Sequence, residues 1–513
     1  MAKDKLETTN EDNINICFNC VNYSVDSEMC KLKDKQLHPT QSCINFDINT
    51  EKELKTQEEF REEVKTTILK QKIYALMLQK EKSKATELIV KEFVEVNHIK
   101  VTRDDNKPEF YIYKEGIYIP EGRTYIEEFS RKALGVAHST QLVNDVISKI
   151  QADYKVEFDE FLNTNYEYEI PVQNGILNLK TGNLKAFNSE KYFFNKLPIT
   201  YDPNADCPKI KQFLEEITGN KEDVKLIFEI FGFCLVKEIF LEQTFMFVGD
   251  GSNGKSQLLQ LFKRFIGINN VCSVTLQQMK PDDSGLIELH NKMLNLAGDL
   301  DNTALKTTGI FKELSGGDLV QAKRKFKRDL AFQSFCKMIF ACNELPRVYD
   351  TSKGFWRRWI LINFPYEFVD RERYKTLTGD DLKNKKVKEP KIIEKILDEN
   401  ELSGLLNNSL KALKQIHENK KFGYSNTAEQ VKLLWLRKAD SFLAYCLDNV
   451  KEEYTGRILK KDLKLAFHKY RREHKLKSVS DMSIKRTLED EFGVSDVRND
   501  SGVYWEGISF KEI

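Results

Sequence analysis

An α/β fold built around a phosphate-binding loop is predicted for this chain by three observations. The eight residues Gly249 to Ser256, GDGSNGKS, fit the pattern G-x-x-x-x-G-K-[ST]. They lie between a strand-like run, Thr244 to Val248, and a strongly amphipathic helical stretch. Buried-strand runs then alternate with helical spacing as far as about Phe364.

The loop carries its own chemistry. Gly249, Asp250, Gly251, Ser252, Asn253 and Gly254 form a turn whose glycines let backbone N–H groups close around phosphates, and the start of the next helix adds positive dipole. Lys255 can then reach the β and γ phosphates and Ser256 can ligate Mg2+. The helix sets Leu258, Leu259, Leu261, Phe262, Phe265 and Ile266 on one face, with Lys263 and Arg264 opposite and Gly267 as a stop. It is expected to pack on a sheet, and the chain to bind a nucleoside triphosphate.

At 513 residues, 41% hydrophobic and 31% charged, the chain has material for three or four domains. No apolar run approaches the roughly 18 residues of a membrane span, and the start MAKDKLETTNEDN lacks the apolar stretch of a secretory signal. A cytoplasmic protein with no membrane partner is expected. Lys plus Arg total 80 against 79 Asp plus Glu, a formal net charge of +1, so affinity for nucleic acid must come from local patches.

Four of the ten cysteines, Cys17, Cys20, Cys30 and Cys43, cluster near the N-terminus with the spacing C-x2-C-x9-C-x12-C. Four thiolates at such spacing suit one tetrahedral metal, and a segment this short cannot fold on an apolar core alone. Zinc is expected, although an iron–sulfur cluster would use the same ligands. His38 reads as a surface residue, and the six scattered cysteines read as small buried side chains.

Between about Glu51 and Ile99 the chain is charged, proline-free and apolar at helical spacing, at Phe60, Val64 and Ile68 and again at Ile73, Leu76 and Met77. From Glu109 the pattern changes to strands, with FYIYKEGIYIP predicting a hairpin turning at Lys114 to Gly116. A second strand-rich patch, Ile170 to Phe187, carries turn signals at Asn174-Gly175 and Thr181-Gly182-Asn183. Helical spacing from Lys209 to Lys237 leads into the loop strand. The last stretch, Thr455 to Ile513, predicts helix, helix, then hairpin, an order that suggests a winged helix. There Lys485, Arg486 and Arg498 are candidate phosphate contacts.

Four elements follow the loop. Met293 to Ala297 is a buried-strand run ending in Gly298-Asp299-Leu300-Asp301, where a carboxylate could hold Mg2+ and polarise the attacking water. The segment Gln321 to Arg328 holds five cations around the single aromatic Phe326; presented on a hairpin, it could grip a single-stranded backbone while the ring stacks. The strand run Cys336 to Ala341 is followed by Asn343-Glu344-Leu345-Pro346, and an Asn at that strand end can orient water against the γ phosphate. Finally, Arg357 and Arg358 precede the run Ile360 to Phe364, where a guanidinium could act in trans on a neighbour's nucleotide, while Trp356 and Trp359 read as packing residues.

The ordered set GDGSNGKS, NLAGDLD, KELSGGDLVQAKRKFKR, FACNELP and FWRRWILINFP resembles the motor motifs of superfamily 3 helicases of the phage/plasmid primase and poxvirus primase-helicase type. IPVQNGILNLKTG, ELSGLLNNSLKAL and the tail VYWEGISF extend the likeness to roughly Glu109 through the C-terminus. The resemblance implies an AAA+ core in which Lys255 and Ser256 serve phosphate and Mg2+, Asp299 and Asp301 serve metal and water, and Asn343 is the sensor. It further implies that Lys323, Lys325, Phe326 and Lys327 track DNA, and that Arg358 is the arginine finger with Arg357 in reserve. Members often carry Glu where Asp299 and Asp301 stand, which leaves the base unassigned between them. No primase domain is evident, so primer synthesis is not expected.

The implied organisation is a four-cysteine zinc module at 1–50, a helical linker at 51–105, an α+β domain at 106–215, the ATPase at 216–425 and a winged-helix-like domain at 426–513. The implied function is an ATP-dependent DNA helicase for replication of a phage or mobile element. It would act as a homohexameric ring on single-stranded and forked DNA, with replication proteins of a bacterial host or of the element. The competing reading is a replication initiator that binds an origin and uses ATP without processive unwinding. A GTPase or small-molecule kinase is disfavoured, because the one N-K-x-D match, Asn220 to Asp223, precedes the loop.

Overall fold

A computed structural model describes residues 67–511 apart from 105–106, 165, 281–283, 299, 301–302, 326–328, 474–478 and 500–501. It also describes three short strands, Tyr23–Ser24, Met29–Cys30 and Lys35–Gln36, paired antiparallel in that order. Cys30 lies on the middle strand; Cys17, Cys20 and Cys43 lie outside the described residues. The chain divides into two compact units, one of residues up to Ile112 with Pro120–Val156, the other of Tyr113–Ile119 with Glu157–Ile513.

In the first unit, the described part of the helical stretch expected after Glu51 forms two helices, residues 67–78 and Lys82–Val96, broken where Lys80 takes φ 62°, while Phe60 and Val64 lie outside the described residues. A left-handed residue cannot continue an α-helix, so the apolar stripe restarts. Leu69 and Ile73 are buried on the first helix and Ile89, Val90 and Phe93 on the second, while Ile68 is exposed. Helices Gly122–Leu134 and Thr140–Asp153 complete the packing, the latter begun by Ser139, whose side chain accepts from Leu142 N. Strand Ile99–Thr102 pairs antiparallel with Phe110–Ile112 and parallel with Lys155–Val156.

In the second unit, helix Phe158–Leu162 is followed by a three-strand meander, Glu169–Val172, Gly175–Asn178 and Leu184–Lys185. Both turn signals form turns: Gly175 and Gly182 take positive φ, and Asn178 Oδ1 accepts from Lys180 N and Thr181 N. Helices Pro208–Thr218 and Lys221–Phe233 follow. Asn220 of the N-K-x-D match is a helix cap whose side chain accepts from Asp223 N at 2.7 Å.

The 21-residue helix Glu399–Asn419 locks both of these helices. Its buried Glu401 accepts from Lys209 N and Ile210 N, satisfying orphan donors at the start of Pro208–Thr218. Gly232 lets the second helix approach so closely that a Cβ there would lie 2.4 Å from Ser409 O.

The centre is a five-stranded, all-parallel sheet: β1 (Thr244–Val248), β2 (Val271–Cys272), β3 (Leu294–Ala297), β4 (Lys337–Cys342) and β5 (Trp359–Asn363). Its spatial order is β2-β3-β4-β1-β5, with β1 flanked by β4 and β5. β1, β3 and β4 are buried throughout, which is why they read as continuous apolar runs. Helix Lys255–Ile266 seals one face with the predicted Leu258, Leu261, Phe262, Phe265 and Ile266, and Phe262 stacks on Phe231 at 3.8 Å.

Beyond the sheet, helix Ala428–Ala439 inserts Trp435 into an aromatic cluster with Phe355, Trp356 and Trp359, and the Trp435 indole donates to Pro346 O. Helices Ser441–Asn449, Lys460–Glu473 and Asp481–Phe492 then enclose a separate core holding Leu463, Phe467, Ile484, Leu488 and Trp505. The hairpin Asp496–Asn499/Gly502–Phe510 is joined by a third strand, Val450–Leu459. Five of the six scattered cysteines are buried and Cys272 is partly so.

Candidate nucleotide site

The loop after β1 is held in a conformation that its sequence permits and few others would. Gly251, Ser252 and Gly254 take φ of 101°, 47° and 88°. A Cβ on Gly249 would lie 2.2 Å from Asn253 Nδ2, and one on Gly254 would lie 2.6 Å from Ile217 Cγ2. The loop is braced from outside by Phe368 N, which donates to Ser252 O at 2.6 Å.

Lys255 begins the following helix and is 6% exposed. Its ammonium donates to Gly249 O and, at 3.2 Å, to Asn343 Oδ1. Asn343 follows β4, so the parallel register of β1 and β4, pairing Val248 with Cys342, brings these two residues together. Neighbouring Cys342 is a buried thiol pushed up to about 12 by loss of solvation, too protonated to serve as a nucleophile.

A cavity of about 400 Å³ opens over the loop. Its lining joins the polar loop residues Ser252, Asn253, Lys255 and Ser256, and Asn343, to the apolar Phe213, Ile217, Phe368, Val387, Pro390 and Ile392, with the charged Glu216, Lys388, Glu389 and Lys391 among the latter. The polar lining residues fit a phosphate chain: Asn253 Nδ2 is buried without a hydrogen-bond partner, and Ser256 faces solvent beside Lys255. The apolar lining residues offer contact area for a flat base. They come from segments far apart in sequence and made of ordinary apolar residues, so sequence reasoning missed them. Asp250 is exposed beside this cavity.

Asp299 and Asp301 lie outside the described residues. Leu300 between them donates its N–H to Ala341 O at 3.0 Å, next to the end of β4. The basic segment falls between strands Leu319–Ala322 and Leu330–Gln333, which pair antiparallel as a hairpin. Lys323 and Lys325 are exposed on it, whereas Phe326 and Lys327 lie outside the described residues.

Arg358 is not part of this cavity. It precedes β5, whose first residue pairs with the first residue of β1, so it sits at the end of the sheet opposite the loop. Both Arg357 and Arg358 place an amino group 2.5 Å from Glu242 Oε2. Burial lowers the pKa of the Arg358 guanidinium and Glu242 works against that loss. Glu242 went unnoticed in the sequence because a single carboxylate ahead of a strand carries no pattern.

Two lysines are buried, Lys337 as the first residue of β4 and Lys237 ahead of β1. Lys337 donates to the carbonyls of Val236, Glu238 and Phe335, with burial lowering it to about 8. Burial lowers Lys237 to about 7, although its ammonium faces the rings of Phe193 and Phe335.

Residues 53–219 match a family model described as D5 N terminal like, and residues 247–358 match a family of unknown function (DUF5906). A protein of Acanthamoeba polyphaga mimivirus named Putative helicase is 27% identical over 212 residues, 39% of this chain and 22% of its own length. Another, Putative helicase 121R of Invertebrate iridescent virus 3, is 24% identical over 247 residues, 43% of this chain and 25% of its own. Together these matches support a helicase/primase-like reading of the chain.

The chain matches only about a quarter of the length of those two viral relatives. It is also 26% identical, over 21% of its length, to 68% of an uncharacterized mitochondrial protein of Marchantia polymorpha. Among solved structures it is similar to the apo NrS-1 C terminal region, with TM-score 0.40 and 16% identity over 81% of this chain and 97% of that one. The organisms of the viral relatives lend no support to a bacterial host. Among the described residues, no helix is long and apolar enough to cross a membrane, and no cluster of three or more His, Cys, Asp or Glu could hold a metal ion.

Proposed function

We propose that the chain is an ATP-dependent DNA helicase for replication of a virus, phage or mobile element, built on an AAA+ core and working as a homohexameric ring. The observation that carries this reading is the meeting of Lys255 and Asn343 at the head of a parallel sheet, beside a cavity lined by both polar loop residues and apolar side chains. Loop N–H groups and Lys255 would hold the phosphates, Ser256 and Asp299 would hold Mg2+, and the bound ion would offset charge on the γ phosphate. Asn343 and one of Asp299 and Asp301 would orient the attacking water.

The basic hairpin would line the pore. Lys323, Lys325 and Lys327 would contact the backbone of single-stranded DNA and Phe326 would stack on a base. An arginine at the 357–358 pair would act on the nucleotide of the adjacent copy, a role supported by its distance from its own loop. A zinc on Cys17, Cys20, Cys30 and Cys43 and a winged helix at the C-terminus belong to the same reading, supported by spacing and by element order.

Strand displacement on a forked substrate tests the proposal. Wild type should unwind the fork with ATP and Mg2+, and Lys255→Ala should not. ATP-dependent fork binding without displacement would favour the origin-binding initiator instead.

A further inference from the structure

We propose that Glu242 is a positioning residue for the arginine pair, and that Arg357 is the guanidinium that reaches the neighbouring nucleotide while Arg358 anchors it. This rests on the reading above in which an arginine acts across the ring. The two side chains share one carboxylate oxygen, Glu242 Oε2, at 2.5 Å each, yet their surroundings differ. The Arg358 side chain is 10% exposed, its Nη1 donates to Gly354 O at 2.5 Å, and its Nε is buried without a hydrogen-bond partner. The Arg357 side chain is 48% exposed.

The backbone beneath them is fixed. Gln243 Nε2 donates to Arg357 O at 3.1 Å and Thr244 N to Arg358 O at 2.6 Å, tying both residues to the start of β1 beside Glu242. A buried cation stays with its counter-ion, because withdrawing it strands a charge in low dielectric. An exposed cation on the same carboxylate can exchange that partner for a phosphate at little cost. Arg357 therefore leaves Glu242 when a neighbour's phosphate arrives, and Arg358 remains. Glu242 also keeps two adjacent like charges from splaying apart.

Mixed-subunit ATPase assays with single-stranded DNA test this. Arg357→Ala should lower kcat by about 10³-fold or more, the range for a finger arginine, with the KM for ATP within about twofold of wild type. Glu242→Gln should lower kcat about tenfold with a similar KM, and Glu242→Asp should recover part of the loss. Each should regain activity when mixed with Lys255→Ala, since hybrid interfaces pair an intact loop with an intact arginine. Arg358→Lys, which keeps the buried charge, should lose less kcat than Arg357→Lys.

Wild-type kcat in Arg357→Ala overturns the assignment of the reaching arginine, and wild-type kcat in Glu242→Gln overturns the positioning role. Arg358→Ala serves as the control. If it complements Lys255→Ala while the Glu242 and Arg357 variants do not, the inference fails and action across the ring stands. If no variant complements, action across the ring itself fails.

Discussion

Lys255 Nζ lies 3.2 Å from Asn343 Oδ1, joining the loop after β1 to the segment after β4. The residues are 88 positions apart and meet because their strands are parallel neighbours. In open parallel sheets ligands bind at the carboxyl ends of the strands, and both residues sit there. The contact gives Asn343 a defined orientation before any nucleotide arrives.

Replacing either partner should have a different kinetic signature. Lys255→Ala should abolish turnover and weaken nucleotide binding, read by titration with a fluorescent ATP analogue. Asn343→Ala should lower kcat by about 10²-fold, typical for loss of one preorganised polar group, while the affinity for ATP changes only a few-fold. Equal losses in affinity for both variants would assign Asn343 to binding.

On the basic hairpin, Lys325→Ala should leave basal ATPase intact and remove its stimulation by single-stranded DNA. The slope of log affinity against log salt should become shallower by about 0.7, the value of one phosphate contact on a single strand. Normal unwinding by this variant would show that the hairpin does not track DNA.

Arg347 binds Asp440, Ser483 and Thr487 at once, and the Asp440 side chain is 5% exposed. Arg347→Ala leaves that carboxylate without its counter-ion and should destabilise the protein by about 3 kcal/mol, measured by urea denaturation. Arg347→Lys should recover part of the loss.

Burial lowers the Lys237 pKa from 10.5 to about 7. The unfolded chain therefore holds a proton between about pH 7 and 10.5 that the folded chain lacks, so this lysine makes stability rise with pH across that window. Below pH 7 the folded lysine is charged as well and its penalty is complete. Lys237→Met should flatten the rise and stabilise the protein at pH 7, as read from Tm across a pH series.

Much of this architecture was legible in the sequence because it depends on local pattern. Thr244 to Val248 and the helix after the loop were readable from apolar periodicity, and the glycine positions from the pattern of the loop itself. The strand Val450–Leu459 was not, since KEEYTGRIL is polar over most of its length and gains strand geometry by pairing with Gly502–Phe510. The apolar lining of Phe213, Phe368, Val387 and Ile392 was hidden for a related reason: tertiary packing assembles it from unremarked apolar residues. Arg486, a candidate phosphate contact, pairs with Asp490 one helical turn on, as i,i+4 spacing allows, and donates to the Tyr349 hydroxyl, a distant neighbour that no spacing rule reveals.

Trp435 sets a limit on how this molecule can be cut. The division drawn at residues 425 and 426 would remove an indole that is fully enclosed by Phe355, Trp356 and Trp359 and bonded to Pro346 O. A shortened chain stopping there would carry an open aromatic socket of about 200 Å² beside β5, a sticky wound that invites self-association. Fragments meant to isolate the parallel-sheet region should therefore run past Ala439, so that the plug travels with its hole.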